Sequence, residues 1–313
     1  MTPFVIHANL DVEASWVRMT LPTKIKERIS LYASLLAALA PPEVTDPIEV
    51  WAPAPVDPRR LLAGRGWTPP EMRAGTPRTR QLLWADPEAR AVNDRAFALS
   101  IAMNEGVALP GQRVIEALDA LADVAGPWVC KAPWTTAGRD RCHGDGPPTI
   151  EQRTRLDRLL AQFGSLMFEP WCDRIYDAGI VGFAFPDGSF TAEPHGLVTD
   201  ARGTFLGIDL EASGLMPAEA VYLDDIAQSV SRALGDAGYR GPFSVDSFVY
   251  RGPEGERLLH PLCEINARFT FGHVAHGLGT QLGIRRLGFT STPPDDATVL
   301  IAPADDGVTA WVA

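Results

Sequence analysis

The apolar positions of this chain change period along its length, and each change marks an element. Phe4–Ala8 is a short apolar run that reads as a buried strand. Ile25, Ile29, Tyr32, Leu36 and Leu39 then recur at helical spacing until Pro41-Pro42 stops them. Ile48–Ala52 predicts a second strand, the Pro-, Gly- and Arg-rich stretch Pro53–Arg80 a loop, and Gln81–Trp84 a further strand. Strand and helix in alternation predict a small α/β domain with a parallel sheet. The texture changes near Asp86-Pro87. Asn93–Asn104 and Gln112–Ala125 read as helices, Pro127–Lys131 as a strand and Trp134–Pro148 as a loop. Thr149 and Gln152 form a capping box for a helix carrying Leu156, Leu159, Leu160 and Phe163. Ser165–Trp171 is the next strand, and Asp187-Gly188 turns a hairpin between Val181–Phe185 and the run from Phe190. Ala218–Ala237 is a long helix with Ile226, Val230 and Ala233 on one face. Phe243–Tyr250 and Leu258–Ile265 form a last hairpin around Gly252-Pro253-Glu254-Gly255. Helices followed by antiparallel hairpins predict an α+β architecture for this larger part.

Composition narrows the function classes. With 313 residues the chain holds about two domains at the usual ~100–200 residues each. Hydrophobic residues make up 46% and charged residues 21%, enough apolar material for a sizeable core, which excludes global disorder. The net charge of -11 repels a phosphate backbone and argues against nucleic acid as the main partner. Met1–His7 has no basic n-region, and Leu31–Ala40, the longest apolar-rich stretch, is far below the ~20 residues that span a bilayer. The four cysteines form no CxxC pair, so they read as free thiols in a reducing cytoplasm. A cytoplasmic protein with neither a nucleic-acid nor a membrane partner is expected.

Three constellations carry chemistry. In the last hairpin, side chains alternate, so Ser244, Asp246 and Phe248 share one face and Leu262, Glu264 and Asn266 share one face. A hairpin folded about position 255 puts residues whose numbers sum to 510 opposite each other, and Asp246 then meets Glu264. Two opposed carboxylates weaken a sheet unless something neutralises them; carboxylate and amide oxygens suit Mg²⁺. Spacing alone leaves a solvated hairpin face as the alternative, since a one-residue slip separates the pair. Secondly, Lys131 ends a strand and opens into Ala132-Pro133-Trp134-Thr135-Thr136-Ala137-Gly138-Arg139, a loop that can offer an ammonium and backbone N–H groups to phosphate; a surface Lys before a turn is the alternative. Thirdly, Leu166–Trp171 is an apolar strand carrying Glu169, with Asp173 and Asp177 beyond it. Its edge can read an adenine ring, or Glu169 can be merely exposed at a turn.

Taken in order, these pieces resemble the ATP-grasp superfamily over roughly the last two thirds of the chain. The matching segments are PWVCKAPWTTAGR (127–139), LMFEPWCDRIYD (166–177), GPFSVDSFVY (241–250) and PLCEINARFTFGHVAHGL (261–278). The resemblance implies a small α/β domain over 1–88 and an ATP-grasp domain over 89–313, divided into 89–165 and 166–313. It implies that the two parts of that domain grip ATP between antiparallel sheets. Lys131 would touch the α- and β-phosphates, and Thr135, Thr136, Gly138 and Arg139 would close over them. Glu169, Pro170 and Trp171 would bind adenine, and Asp177 the ribose. Asp246, Glu264 and Asn266 would hold Mg²⁺, two ions with Mn²⁺ able to substitute, and Arg268 would act in catalysis on phosphate or the acceptor's carboxylate. Where the family has a second nucleotide-binding Lys, this chain has Arg95, which keeps the charge but not the geometry.

The implied activity is ligation of a small-molecule carboxylate to an amine or thiol through an acyl phosphate, releasing ADP and phosphate. A small-molecule kinase and a non-catalytic nucleotide-binding protein are the alternatives, and a homodimer is compatible with either. Among other residues, His273 and His276 lie one helical turn apart and, lacking a third ligand, read as helix-surface histidines. Glu193 and His195 line either the acceptor pocket or a hairpin edge, and Arg240 either attracts an anionic acceptor or ends a helix.

Overall fold

The computed structural model describes residues 5–6, 16, 20, 22–40, 48–50, 72–74, 87–134, 140–185, 187–200, 203–301 and 307–313. Near the N-terminus, β1 (Val5–Ile6), β2 (Ile48–Val50) and β3 (Met72–Ala74) form a parallel three-stranded sheet in that order. The predicted parallel α/β unit is therefore present. Its third strand, β3, lies inside the stretch read as loop, and the expected strand Gln81–Trp84 lies outside the described residues. Helix α1 (Thr23–Ala33) runs into a 3₁₀ turn, Ser34–Leu39, that is almost wholly buried.

Two antiparallel sheets make up the larger part. The small one has β4 (Arg113–Ile115), β5 (Pro127–Lys131), β6 (Arg141–Asp145) and β7 (Leu166–Pro170), in the order β4-β7-β5-β6. The expected helix Gln112–Ala125 is replaced by β4 and a 3₁₀ turn, Leu118–Leu121. The β-branched pair Val114-Ile115 suits pairing with β7, and the three-residue spacing of Ile115, Leu118 and Leu121 is that of the 3₁₀ turn. Helix α4 (Ile150–Phe163) covers one face of this sheet. It starts with the predicted capping box, in which Gln152 N–H donates to Thr149 Oγ1 and Thr149 N–H to Gln152 Oε1. Because β7 belongs to this sheet, the chain crosses to the large sheet after Pro170 rather than at the expected 165/166 break.

The large sheet has eight antiparallel strands. They are β8 (Asp173–Ala184), β9 (Phe190–Thr199), β10 (Phe205–Asp209), β11 (Gly241–Arg251), β12 (Arg257–Asn266), β13 (Arg286–Thr290), β14 (Thr298–Ile301) and β15 (Thr309–Val312), in the order β12-β11-β8-β9-β10-β13-β15-β14. Alternation assigns its two faces. Ala178, Ile180, Phe243, Val245 and Ile265 point into a core with α2 (Pro87–Val92), α3 (Arg95–Asn104) and α5 (Pro217–Asp236). On the other face, Leu197, Ile208, Leu287 and Phe289 are covered by α6 (Phe271–Leu282) and the Ser34–Leu39 turn. At the β12-β11-β8 end of the large sheet, near Ser244, Asp246 and Glu264, the small sheet comes close, with Lys131 Nζ 3.9 Å from Cys263 Sγ; the space between them is the cleft.

Trp128, fully buried in the small sheet, lies flat over Gly144 on β6 and donates from Nε1 to Gly146 O at 2.7 Å. A Cβ at position 144 would overlap the indole ring. Gly144→Ala should therefore displace Trp128 and lower the stability of this unit by about 1–3 kcal/mol. The check is the urea midpoint at unchanged slope.

Candidate nucleotide and metal site

The site begins with the register of the last hairpin. Asp246 does lie opposite Glu264, and Ser244 opposite Asn266. Near the turn, however, the numbers of paired residues sum to 508, as in Phe248↔His260 and Arg251↔Arg257. The sum becomes 510 only beyond an irregularity between Asp246 and Phe248, where β12 inserts two extra residues. Without that bulge, Asp246 would face Leu262. The bulge also places Cys263 in the cleft, its Sγ 3.9 Å from Lys131 Nζ.

Lys131 and Glu169 share the cleft-facing side of the small sheet, since Glu169 pairs with Val129, two residues before Lys131. They form a buried ion pair at 2.5 Å. Burial alone would raise the Glu169 pKa, but the charge and hydrogen bond of Lys131, joined by Arg95, hold the carboxyl below its ordinary value. Glu169 is thus buried and paired, not exposed at a turn.

Arg95 opens α3, whose N-terminus Asp94 caps by accepting from Ala96 N–H at 2.8 Å. Its guanidinium donates to Glu264 Oε2 at 2.9 Å and to the carbonyl of Ala132 at 2.5 Å. One residue therefore links the end of the Lys131 strand to a carboxylate of the large sheet. Burial, and after it the Glu264 charge, raise the pKa of Asp246 well above the usual carboxylate range. Asn266 is buried; its Oδ1 accepts from Arg268 Nη2 at 2.9 Å and keeps a second lone pair. Among the described residues, no three His, Cys, Asp or Glu side chains form a group able to hold a metal ion. The donor set here is two carboxylates and an amide oxygen.

Thr135, Thr136, Gly138 and Arg139 lie outside the described residues. Pro170 ends β7 opposite Trp128, and Trp171 is 43% exposed, with the His143 ring edge-on at 4.6 Å. Trp171 N–H donates to Pro127 O, but β4 stops opposite Phe168, so the β7 edge beyond it has no neighbouring strand among the described residues. Asp177 accepts from Arg174 Nη1 and from Thr199 Oγ1, both at 3.0 Å.

Other expectations change. His273 and His276 are not helix-surface histidines: α6 lies against the sheet, where His273 Nε2 meets Gly182 O at 3.2 Å. His276 Nδ1 is 2.7 Å from Glu193 and its ring 5.5 Å from that of buried His195, so Glu193 and His195 face α6. Burial pushes His195 down to about 3 and His273 to about 4, keeping both neutral. Arg240 ends a helix, donating to Gly235 O and Tyr239 O. All four cysteines are free, as expected. Two residues went unnoticed in the sequence. Asn93 Oδ1 accepts from Ala267 N–H at 2.9 Å and pins the segment after Asn266, and Arg174 enters the cleft through a bulge.

No protein-family model and no curated protein matches this sequence. Solved structures do match in fold. The N5-carboxyaminoimidazole ribonucleotide synthetase of Thermus thermophilus is 15% identical with a TM-score of 0.56, covering 90% of this chain and 91% of that one. The N5-carboxyaminoimidazole synthetase of Staphylococcus aureus, complexed with ADP, is 9% identical with a TM-score of 0.54, over 77% and 69%. The biotin carboxylase domain of Hydrogenobacter thermophilus 2-oxoglutarate carboxylase, in complex with MgADP and bicarbonate, is 12% identical with a TM-score of 0.51 over 71% of this chain. This chain spans 61% of that domain's length. At these identities the likeness establishes the fold, which is the ATP-grasp fold.

The Lys131–Glu169 pair makes a stability prediction. Removing one partner leaves the other buried and uncompensated, so Glu169→Leu should cost about 3–5 kcal/mol, and Lys131→Met in the same background should restore most of it. The sign with pH follows from the depressed carboxyl: the pair's contribution is present above the ordinary Glu value of 4.5 and is lost as pH falls through the lower folded value. Denaturant titrations of the single and double variants at neutral and acid pH check both statements.

Proposed function

We propose that this chain is an ATP-dependent, ADP-forming ligase that joins a small-molecule carboxylate to an amine or thiol through an acyl phosphate. The observation that carries the reading is that Arg95 pairs with Glu264, which lies opposite Asp246, while Lys131, paired with Glu169, comes to 3.9 Å from Cys263 beside Glu264. Phosphate oxygens and a divalent cation together match that arrangement. The negative charge of the phosphates answers Lys131 and Arg95, and the positive charge of the cation answers the Asp246 carboxyl, which burial and Glu264 raise despite Arg268 and Arg95. Mg²⁺ commonly takes one or two carboxylates and completes its shell with phosphates and water, so a donor set of Asp246, Glu264 and Asn266 fits it. When bound, Mg²⁺ would supply charge neutralisation at the β- and γ-phosphates.

This chain's residues then have definite tasks. Lys131 and Arg95 orient the phosphates, and the 135–139 loop, with Thr135, Thr136, Gly138 and Arg139, closes over them. The open β7 edge at Glu169–Trp171 receives adenine. Arg268, anchored on Asn266, holds the acceptor carboxylate in line with the terminal phosphoryl. A carboxylate oxygen takes that phosphoryl from ATP, with ADP leaving; the amine then bonds to the carbonyl carbon as phosphate departs. Phosphoryl transfer leaves the protein little covalent chemistry, so positioning and electrostatics supply the rate. Residues 1–88 and 89–313 are the two units of this assignment.

The test is hydroxylamine trapping with ATP, Mg²⁺ and pooled carboxylates, including the amino acids. A ligase yields a hydroxamate with ADP and phosphate in equal amounts. A stable phospho-product without hydroxamate indicates a kinase, saturable ATP binding without turnover a non-catalytic protein, and AMP with pyrophosphate contradicts the mechanism. Asp246→Asn and Glu264→Gln should each abolish Mg²⁺-dependent hydroxamate formation with an unchanged circular dichroism spectrum. Unchanged turnover in both removes the metal assignment. Lys131→Met should lower ATP affinity or turnover at least tenfold, equivalent to about 1.4 kcal/mol.

A further inference from the structure

Arg174 is a further cation of the cleft, beside Lys131, Arg95 and Arg268, and strand alternation hides it. Along β8, Tyr176 pairs with Val249 and Arg174 with Tyr250, so Ile175 is an extra residue in the ladder. Three residues apart, Arg174 and Asp177 would normally point to opposite faces of the sheet. The bulge brings them to the same face, where Arg174 Nη1 donates to Asp177 Oδ1 at 3.0 Å. Its guanidinium carbon sits 3.9 Å from the centre of the Phe248 ring, which it covers, and 5.9 Å from that of Trp171. Phe248 belongs to the strand of Asp246, two residues further along on the same face. Lys131, Glu169 and Cys263 are all electrostatic neighbours of Arg174.

Asp177 uses one oxygen on Arg174 and the other on Thr199. An Arg held by a carboxylate on one side and an aromatic face on another is fixed in place at small entropic cost. Its remaining N–H donors have no hydrogen-bond partner among the described residues, and its side chain is 33% exposed. That is a preset guanidinium fork with unused donors, beside Lys131 and one row from the carboxylate pair. A fork of that kind matches phosphate oxygens.

We propose that Arg174 receives the phosphate end of the nucleotide, and that Asp177 is its positioning residue rather than a ribose ligand. This rests on the nucleotide reading above. The test is calorimetric binding of two probes, ADP with Mg²⁺ and adenosine, to the full chain. Arg174→Met should weaken ADP at least tenfold and leave adenosine within twofold. Asp177→Asn should weaken ADP about threefold, again without moving adenosine. If Asp177→Asn weakens both probes alike, Asp177 holds the ribose and the proposal is wrong. It is equally wrong if Arg174→Met binds ADP as the unaltered chain does. Should Arg174→Met melt below the assay temperature, Arg174→Lys keeps the charge and removes the fork; it should weaken ADP, not adenosine, by a smaller factor. Loss of both probes together in that variant also overturns the proposal. If the unaltered chain binds no ADP, the nucleotide reading itself falls and this inference with it, whereas ADP binding that ignores Arg174 removes only the inference.

Discussion

Two carboxylates on neighbouring strands repel, and partial removal from water strengthens the repulsion. Asp246 and Glu264 are in that position, and the fold answers only one of them. Arg95 reaches Glu264 from the start of α3, while among the described residues Asp246 forms no ion pair, and burial with the Glu264 charge pushes its carboxyl toward the neutral form against the weaker pull of Arg268 and Arg95. A hydrophobic pair at these positions would make a more stable sheet. The arrangement is intelligible as one in which incoming positive charge completes the balance. The same logic organises the cleft around it: Lys131 with Glu169, Arg95 with Glu264 and Arg174 with Asp177 are each a cation beside an acid, brought together from both sheets.

Much of this was legible because alternation along strands is a local property. The hairpins, the capping box at Thr149, the parallel N-terminal unit and the Asp246–Glu264 opposition were all readable from spacing. The opposition was readable for an incomplete reason. Simple folding about Gly255 gives the right partners, yet the turn itself sets a register shifted by two residues, and a bulge restores it. Both registers keep Asp246 and Glu264 on one face, but inside the bulge Leu262, expected beside Glu264 and Asn266, turns into the helix-covered core and Cys263 takes the cleft side. Arg174 shows the opposite outcome. A single inserted residue, Ile175, reverses the face, and nothing in the local sequence marks it. Bulges are invisible to a period-two reading, and here they occur beside the residues that carry chemistry.

The helical misreadings have a different cause. Gln112–Ala125 has the apolar spacing of a helix, but the exposed edge of β7 takes Arg113–Ile115 as a strand. Tertiary pairing overrides a short periodic signal. His273 and His276 read as surface residues only if α6 has a wet side there. In fact α6 is wedged between the sheet and the Ser34–Leu39 turn. Gly272 leaves room for the His195 ring and Gly277 for the Ala38 carbonyl. Gln281 then ties the helix to the turn through the carbonyls of Ala38 and Ala40. No window of the sequence contains both partners of that packing, which are more than 240 positions apart in the case of Gln281 and Ala38.

The resemblance expects a lysine where this chain has Arg95, and charge alone would make the exchange neutral. The geometry does not. A guanidinium has donors in a fixed planar fork, and Arg95 uses that fork to hold the Ala132 carbonyl with one arm and Glu264 with the other. An ammonium could satisfy either contact but is poorly shaped to span both. The arginine is therefore a tie between the end of the Lys131 strand and the large sheet. Any ligand that draws Glu264 away must break that tie. In this chain, then, the environment of Glu264 and one of the contacts between the end of the Lys131 strand and the large sheet depend on the same side chain.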